Sequence, residues 1–244
     1  MKSKRSLLAT PYVIWMALFT VIPILMMVVY AFTQEIVVDA ETGEKAVRFS
    51  LNNFAQMGAY TVVFLRSFKL ALVSTAVCLL IGYPVAYLMA KEGPQFQKIA
   101  MALIMLPMWM NFLLRTYAWM TILQDTGIFN NFLTLLHLPN VHIIGTEAAV
   151  VIGMVYDYIP YMILPLYSIM AKMDEKLIEA ARDLGCNGLG VLRRVIWPLS
   201  LPGVISGVTM VLIPSVSTFY ISQKLGDGKI MLIGDVIEGQ YVAN

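Results

Sequence analysis

The sequence predicts an all-α fold, a polytopic transmembrane helix bundle, from its composition, its long uncharged runs and the placement of its basic residues. Of 244 residues, 59% are hydrophobic and only 13% are charged. A soluble domain is about 45–50% apolar and about 25% charged. So little charge cannot cover a water-facing surface, and lipid must solvate much of the chain. The mean hydropathy of +0.75 agrees. A formal net charge of +2 gives nucleic-acid binding no electrostatic basis.

A helix needs roughly 20 mostly apolar residues to cross a bilayer, because it rises about 1.5 Å per residue through about 30 Å of hydrocarbon. Five runs qualify: residues 6–34, 70–90, 99–124, 148–171 and 195–223. The first, second and fifth carry no charge, the third carries only Arg115 and the fourth only Asp157. The first run follows Lys2, Lys4 and Arg5 as a secretory signal would. It is about twice the length of a signal h-region of about 7–15 residues, and no small-x-small cleavage site closes it. It reads as a retained helix.

Basic residues set the orientation. With the N-terminus in the cytoplasm, the inner face collects Lys2, Lys4, Arg5, Lys91, Lys98, Lys172, Lys176, Arg182, Arg193 and Arg194. The outer face keeps Lys45, Arg48, Lys224 and Lys229, with Arg66 and Lys69 near the outer mouth of the second span. Residues 224–244 then read as an extracytoplasmic segment leading toward a further helix. Tyr30, Phe32, Tyr117, Trp119 and Tyr220 fall at the outer ends, where interfacial aromatics belong. Pro107, Pro160, Pro165, Pro202 and Pro214 lie in or beside spans and predict kinks. Gly203 and Gly207 form a Gly-x-x-x-Gly step, read here as close packing within the chain in preference to a dimer seam.

The cytoplasmic loop 172–198 is more than a connector. Asp174 is placed to cap a helix, acids follow in its first turn, and Gly185 suits a left-handed stop. Leu177, Ala181 and Leu184 recur at i, i+4 and i+7, a short apolar stripe. Asn187 can cap a second short helix ending before Pro198. The expected result is a helix–turn–helix lying across the cytoplasmic face.

Within this loop Glu179-Ala180-Ala181, three residues, Gly185, nine residues and Val195-Ile196-Trp197-Pro198 resemble the EAA loop of permease subunits in bacterial binding-protein-dependent ABC importers. The family pattern ends in Ile-x-Leu-Pro, so Val195 and Trp197 depart from it while the Glu, both alanines, Gly and Pro match. The resemblance implies a type I importer permease fold, with residues 1–244 as one transmembrane domain. It makes Glu179, Ala180, Ala181, Arg182, Asp183, Gly185 and Pro198 the surface that couples to a separate ATPase. Family members have six helices, so the five visible here imply that the last is missing.

The implied partners are a second permease subunit, cytosolic ATPase subunits, an extracytoplasmic solute-binding protein docking on loops 35–60 and 125–147, and membrane lipid. ATP and Mg would be bound by the ATPase; this chain has no Gly-x-x-x-x-Gly-Lys-Ser/Thr loop, and neither an enzymatic role nor a cofactor is expected for it. The implied location is the bacterial inner membrane. The stretches beginning Gly82-Tyr83-Pro84, Leu114-Arg115-Thr116, Ile159-Pro160-Tyr161 and Met231-Leu232-Ile233 further resemble spermidine/putrescine permeases, implying polyamine import by alternating access; relatives that move other small solutes share parts of them, so import of another small solute is the alternative.

Two intramembrane charges remain. Asp157 lies ten residues past Glu147, about 15 Å down a helix, and Arg115 lies 17 residues past Lys98, about 25 Å up from the inner face. Charges at such depths are functional candidates by default. In one reading Asp157 meets a cationic amine, with Tyr158 or Tyr161 offering a π face; in the other Arg115 reaches down to pair with Asp157. Pairing is the more economical solution. His137 and His142, five residues apart on an outer loop, make a poor metal site, and the 17 methionines read as core filler. Cys78 and Cys186 fall in different regions and are not expected to pair. A gradient-driven secondary transporter would show internal repeats and several deep acids; this chain has one. A membrane enzyme would need a nucleophile–base pair, paired carboxylates or a metal cluster, and none is evident.

Overall fold

The structure, a computed structural model, describes residues 10–37 and 45–243. The N-terminal Lys2, Lys4 and Arg5, on which part of the orientation rests, lie outside them. The chain divides into two compact units, residues 1–62 and 63–244.

In the first unit, α1 (Thr10–Ala31) is apolar all round and exposed along its length, as a helix facing lipid must be. A π turn at Ala17–Val21 closes with Ile22 N–H on the Ala17 carbonyl, immediately ahead of Pro23, which has no N–H for the ladder. After α1 comes a feature that the helical reading lacked: β1 (Thr33–Val37) pairs antiparallel with β2 (Lys45–Phe49), Thr33 opposite Phe49. Two strands of five residues leave too short an alternation to stand out beside the helical runs. The short helix α2 (Asn52–Gln56) returns Asn53, whose side-chain amide donates to the carbonyls of Tyr30, Ala31 and Thr33. Those include carbonyls that the end of a helix leaves without partners.

α3 (Thr61–Lys91), which leads into the second unit, starts nine residues earlier than the apolar run suggests and takes in Arg66 and Lys69. Both approach Glu147, at 3.9 and 2.7 Å. The third run is not one helix. α4 (Pro94–Trp109) and α5 (Phe112–Leu123) are separated by extended residues Met110 and Asn111, and the two halves of this region are bent by 93°. Pro107 withholds one N–H near the end of α4, and Asn111 restarts the chain by accepting from the Leu113 amide at 2.8 Å. An apolar run records solvent preference and says nothing about continuity, which is why the break was invisible. Asn111→Ala should cost about 1 kcal/mol through loss of this cap, measurable as a lower unfolding temperature of the detergent-solubilised chain.

α6 (Ile128–Leu135) lies on the connection to α7 (Glu147–Met170). There His142 meets Asp125 at 2.8 Å, and both His137 and His142 are exposed. α8 (Glu175–Asp183) is followed by α9 (Gly188–Ser217), α10 (Tyr220–Leu225) and α11 (Ile233–Ala243). The expected second short helix does not stop before Pro198. It runs on through a π turn at Leu192–Ile196, with Trp197 N–H on the Leu192 carbonyl, again one residue ahead of a proline. Among the described residues four helices are long and apolar enough to span a membrane, or five if the bent pair counts as one span.

The core is a seam of α3, α7 and α9. Cys78, Ala86 and Met89 meet Met162, Ile163, Leu166 and Met170, with Val204 and Val211 closing the third side. α7 and α9 make the most extensive helix contact. Gly203 and Gly207 lie on it: a Cβ at Gly203 would come within 3.1 Å of the Pro165 carbonyl, and one at Gly207 within 3.2 Å of the Met162 carbonyl. The Gly-x-x-x-Gly step therefore serves packing inside the chain. A second core joins Leu70, Val150 and Met154 to Ile221, Leu225 and Leu232. Cys78 and Cys186 are both free.

Candidate functional site

Loop 172–198 forms the helix–turn–helix that its residues dictate. The Asp174 carboxylate accepts from the Lys176 amide at 3.0 Å. At the other end of α8, Gly185 takes φ +84°. Cys186 N–H bonds to the Ala181 carbonyl at 3.0 Å and Gly185 N–H to that of Arg182 at 2.8 Å, the left-handed stop expected of a glycine there. Asn187 caps α9 by accepting from the Gly190 amide at 2.8 Å. Every turn in this loop is hydrogen-bonded, so its outer surface is held rigidly.

Which face it buries differs from the expected stripe. Ala181 packs on Val191 and Ile196, with Tyr87, Met173 and Ile178 around them. Leu177 and Leu184 point away and stay 48% and 86% exposed. Two apolar lines were available on so short a helix, and Met173 and Val191, which tether it at either end, select Ile178 and Ala181. Leu177, Ala180 and Leu184 are left as an exposed apolar line flanked by the exposed Glu179, Arg182 and Asp183. Burying a leucine is worth about 1.5–3 kcal/mol, so this line is a surface whose covering by a partner is favourable.

Deep in the second unit, Arg115 and Asp157 meet. Nη1 lies 3.1 Å from Oδ1, with the side chains 9% and 3% exposed. The break at Met110–Asn111 lies four residues before Arg115, and the 93° bend takes Arg115 off the line that one straight third helix would follow. The flanking tyrosines divide. Tyr158 directs its hydroxyl to the Pro214 carbonyl at 3.5 Å, whereas Tyr161 is 39% exposed.

A third constellation escaped the sequence reading. The Asp235 carboxylate accepts from the Leu232 amide at 2.6 Å and the Ser222 hydroxyl at 2.9 Å. The Ser67 hydroxyl accepts from the Ile233 amide at 2.8 Å. Gly234 has no room for a Cβ, which would fall 2.5 Å from the Thr218 carbonyl. Together they bind the start of α11 to α3 and to α10 and seat it closely against the end of α9. Asp235 three residues beyond Leu232 is a capping signal, legible had residues 224–244 not been read as loop.

Comparison with known proteins follows the same outline. Residues 80–238 match the family described as the binding-protein-dependent transport system inner membrane component. The chain is 37% identical over 235 residues to the spermidine/putrescine transport system permease protein PotB of Haemophilus influenzae, covering 93% of this chain and 80% of that one. Against the Escherichia coli protein of the same name the identity is 38% over 232 residues, covering 93% and 83%. Among solved structures, a bacterial alginate ABC transporter in complex with its alginate pentasaccharide-bound periplasmic protein aligns with TM-score 0.70 at 16% identity, over 99% of this chain and 85% of that one. That likeness concerns the fold alone. With its stacked, proline-broken membrane helices and its capped surface loop, the chain belongs to the family of binding-protein-dependent transport system inner membrane components.

Proposed function

We propose that this chain is a permease subunit of an ATP-driven importer for polyamines, lining the translocation pathway together with a second permease subunit. The observation that carries the ATP-driven part is the rigid, exposed line Leu177–Ala180–Leu184 on α8, anchored from below by Ala181. A cytosolic ATPase with a matching groove would cover it, and Glu179, Arg182 and Asp183 would fix its register. Ala180 permits close approach, Gly185 and the α9 cap hold the angle, and Pro198 with the π turn passes the movement into α9. Closure of a pair of ATPase subunits around ATP and Mg would then shift α7 and α9 as rigid bodies. This chain would neither bind nor hydrolyse the nucleotide. The polyamine part is supported by the PotB relatives, named for spermidine and putrescine.

The N-terminus and loop 172–198 lie on the cytoplasmic side of the inner membrane in this reading. Loops 35–60 and 125–147 face outward, toward an extracytoplasmic solute-binding protein. Asp157, Tyr158, Tyr161 and Arg115 are the pathway candidates. The test is co-purification of the tagged chain from membranes with its cytosolic ATPase, alongside uptake of labelled putrescine and spermidine. The native chain should retain the ATPase, and Glu179→Ala should weaken that retention with the bundle still folded. A native chain that transports without ever recruiting an ATPase would refute the reading in favour of a secondary transporter.

A further inference from the structure

The Arg115–Asp157 pair is poorly made for a permanent lock. Strong arginine–carboxylate pairs are bidentate, with two aligned hydrogen bonds. This one touches at a single point, Nη1 to Oδ1 at 3.1 Å. Neither of those atoms, nor Arg115 Nε, makes an aligned hydrogen bond, although all three are buried. Unspent donors and acceptors in such surroundings are costly to maintain. The aromatic contact on Arg115 is also loose, with the Phe112 ring centroid 5.9 Å from the guanidinium carbon, near the limit of a cation–π interaction.

Both partners sit beside breaks. Arg115 is four residues past Asn111, where α5 restarts after the bend. Asp157 is three residues before Pro160, a proline inside α7, which supplies no N–H to the Tyr156 carbonyl four residues back. A primary ammonium, with three donors around a compact charge, can satisfy the carboxylate oxygen that Arg115 leaves without an aligned hydrogen bond. Asp157 and Tyr161 share a face of α7 at i and i+4, and Tyr161 is 39% exposed, so this face runs from the buried carboxylate to the edge of the chain. Tyr158 is taken up by the Pro214 carbonyl and is not part of that approach.

We propose that Asp157 is an exchangeable cation site: Arg115 is its resident counter-ion, and an alkylammonium group of the transported polyamine replaces Arg115 on the carboxylate during the transport cycle. This deepens the polyamine reading above and rests on it. Arg115 holds the empty site neutral, and its loose contact lets the substrate compete.

The test uses the complete transporter in proteoliposomes, with ATP-dependent uptake of labelled putrescine as the readout. Compared are the native protein, Asp157→Asn, Asp157→Glu, Arg115→Gln, the double-neutral Arg115→Gln/Asp157→Asn and the charge-exchanged Arg115→Asp/Asp157→Arg. Asp157→Asn and the double-neutral variant should raise KM about tenfold or more with much less change in maximal rate, as expected when binding alone is lost. Asp157→Glu should recover part of that loss, Arg115→Gln should lower KM, and the charge-exchanged protein should assemble yet stay impaired. Native KM in the double-neutral variant, or native uptake in the charge-exchanged one, would overturn the site and leave a structural pair. Failure of the double-neutral variant to assemble would overturn it as well. A native transporter that hydrolyses ATP but takes up neither diamine nor triamine would instead refute the polyamine reading, and this proposal with it.

Discussion

Leucine at both Gly203 and Gly207 should prevent the bundle from assembling, seen as loss of monodisperse protein and of a cooperative thermal transition in detergent. The seam of α7 and α9 is the main helix contact of the second unit, and these glycines set its spacing. At Gly203 a Cβ would meet the Pro165 carbonyl at 3.1 Å and Leu166 Cα at 3.3 Å. At Gly207 it would meet Met162 Sδ at 2.7 Å, then the Met162 carbonyl at 3.2 Å. Sulfur at the end of a flexible chain can move, but a backbone carbonyl in a helix cannot. Overpacking costs about 1–3 kcal/mol at one site, and two sites in one seam do not act independently. Membrane helices associate mainly by such close packing, since lipid offers no hydrophobic gain between them. Alanine at Gly207 alone should be milder, because its first obstacle is the methionine sulfur. An unchanged transition in the double-leucine variant would show that the seam is looser than its distances indicate.

The second large effect separates neighbouring alanines. Ala180→Asp should leave the bundle intact and abolish transport, whereas Ala181→Asp should destabilise the loop itself. Ala180 is exposed on the line between Leu177 and Leu184, while Ala181 is buried against Val191 and Ile196. An exposed substitution away from any special contact shifts folding by about 0.5 kcal/mol or less. A new carboxylate in an apolar docking line should weaken ATPase retention about tenfold or more, equivalent to about 1.4 kcal/mol. At Ala181 the same carboxylate must enter the apolar cluster of Val191 and Ile196, a destabilisation of several kcal/mol. Protease sensitivity of the loop and ATPase co-purification, measured on both variants, check the contrast. If Ala180→Asp keeps full coupling, the exposed line is not the docking surface.

Much of this was legible in the residues themselves. A bilayer demands length and apolarity from any helix that crosses it, so the apolar runs that supply its spans stand out in the sequence. Caps obey local chemistry, so Asp174, Gly185 and Asn187 mark helix ends from their residue types and spacing, and the EAA spacing points to the family. Properties that depend on neighbours were not legible. Apolar periodicity marks Leu177, Ala181 and Leu184 alike, and only the positions of Met173, Val191 and Ile196 decide which of them is buried. The hairpin at Thr33–Val37 and Lys45–Phe49 and the capping cluster around Asp235 lay in segments read as loop.

By itself, then, the sequence determined the solvent of this protein, the rough bounds of most of its apolar spans, the turn chemistry of loop 172–198 and its family. Each of these follows from short-range rules acting on consecutive residues. The tertiary structure alone decided that the third run breaks at Met110–Asn111, that Arg115 meets Asp157 through Nη1 and Oδ1, and that α8 turns Ala180 outward and Ala181 inward. Those outcomes depend on which distant helices share a seam, and the Gly203–Gly207 contact with Met162 and Pro165 sets that spacing through atoms that lie far apart in the chain.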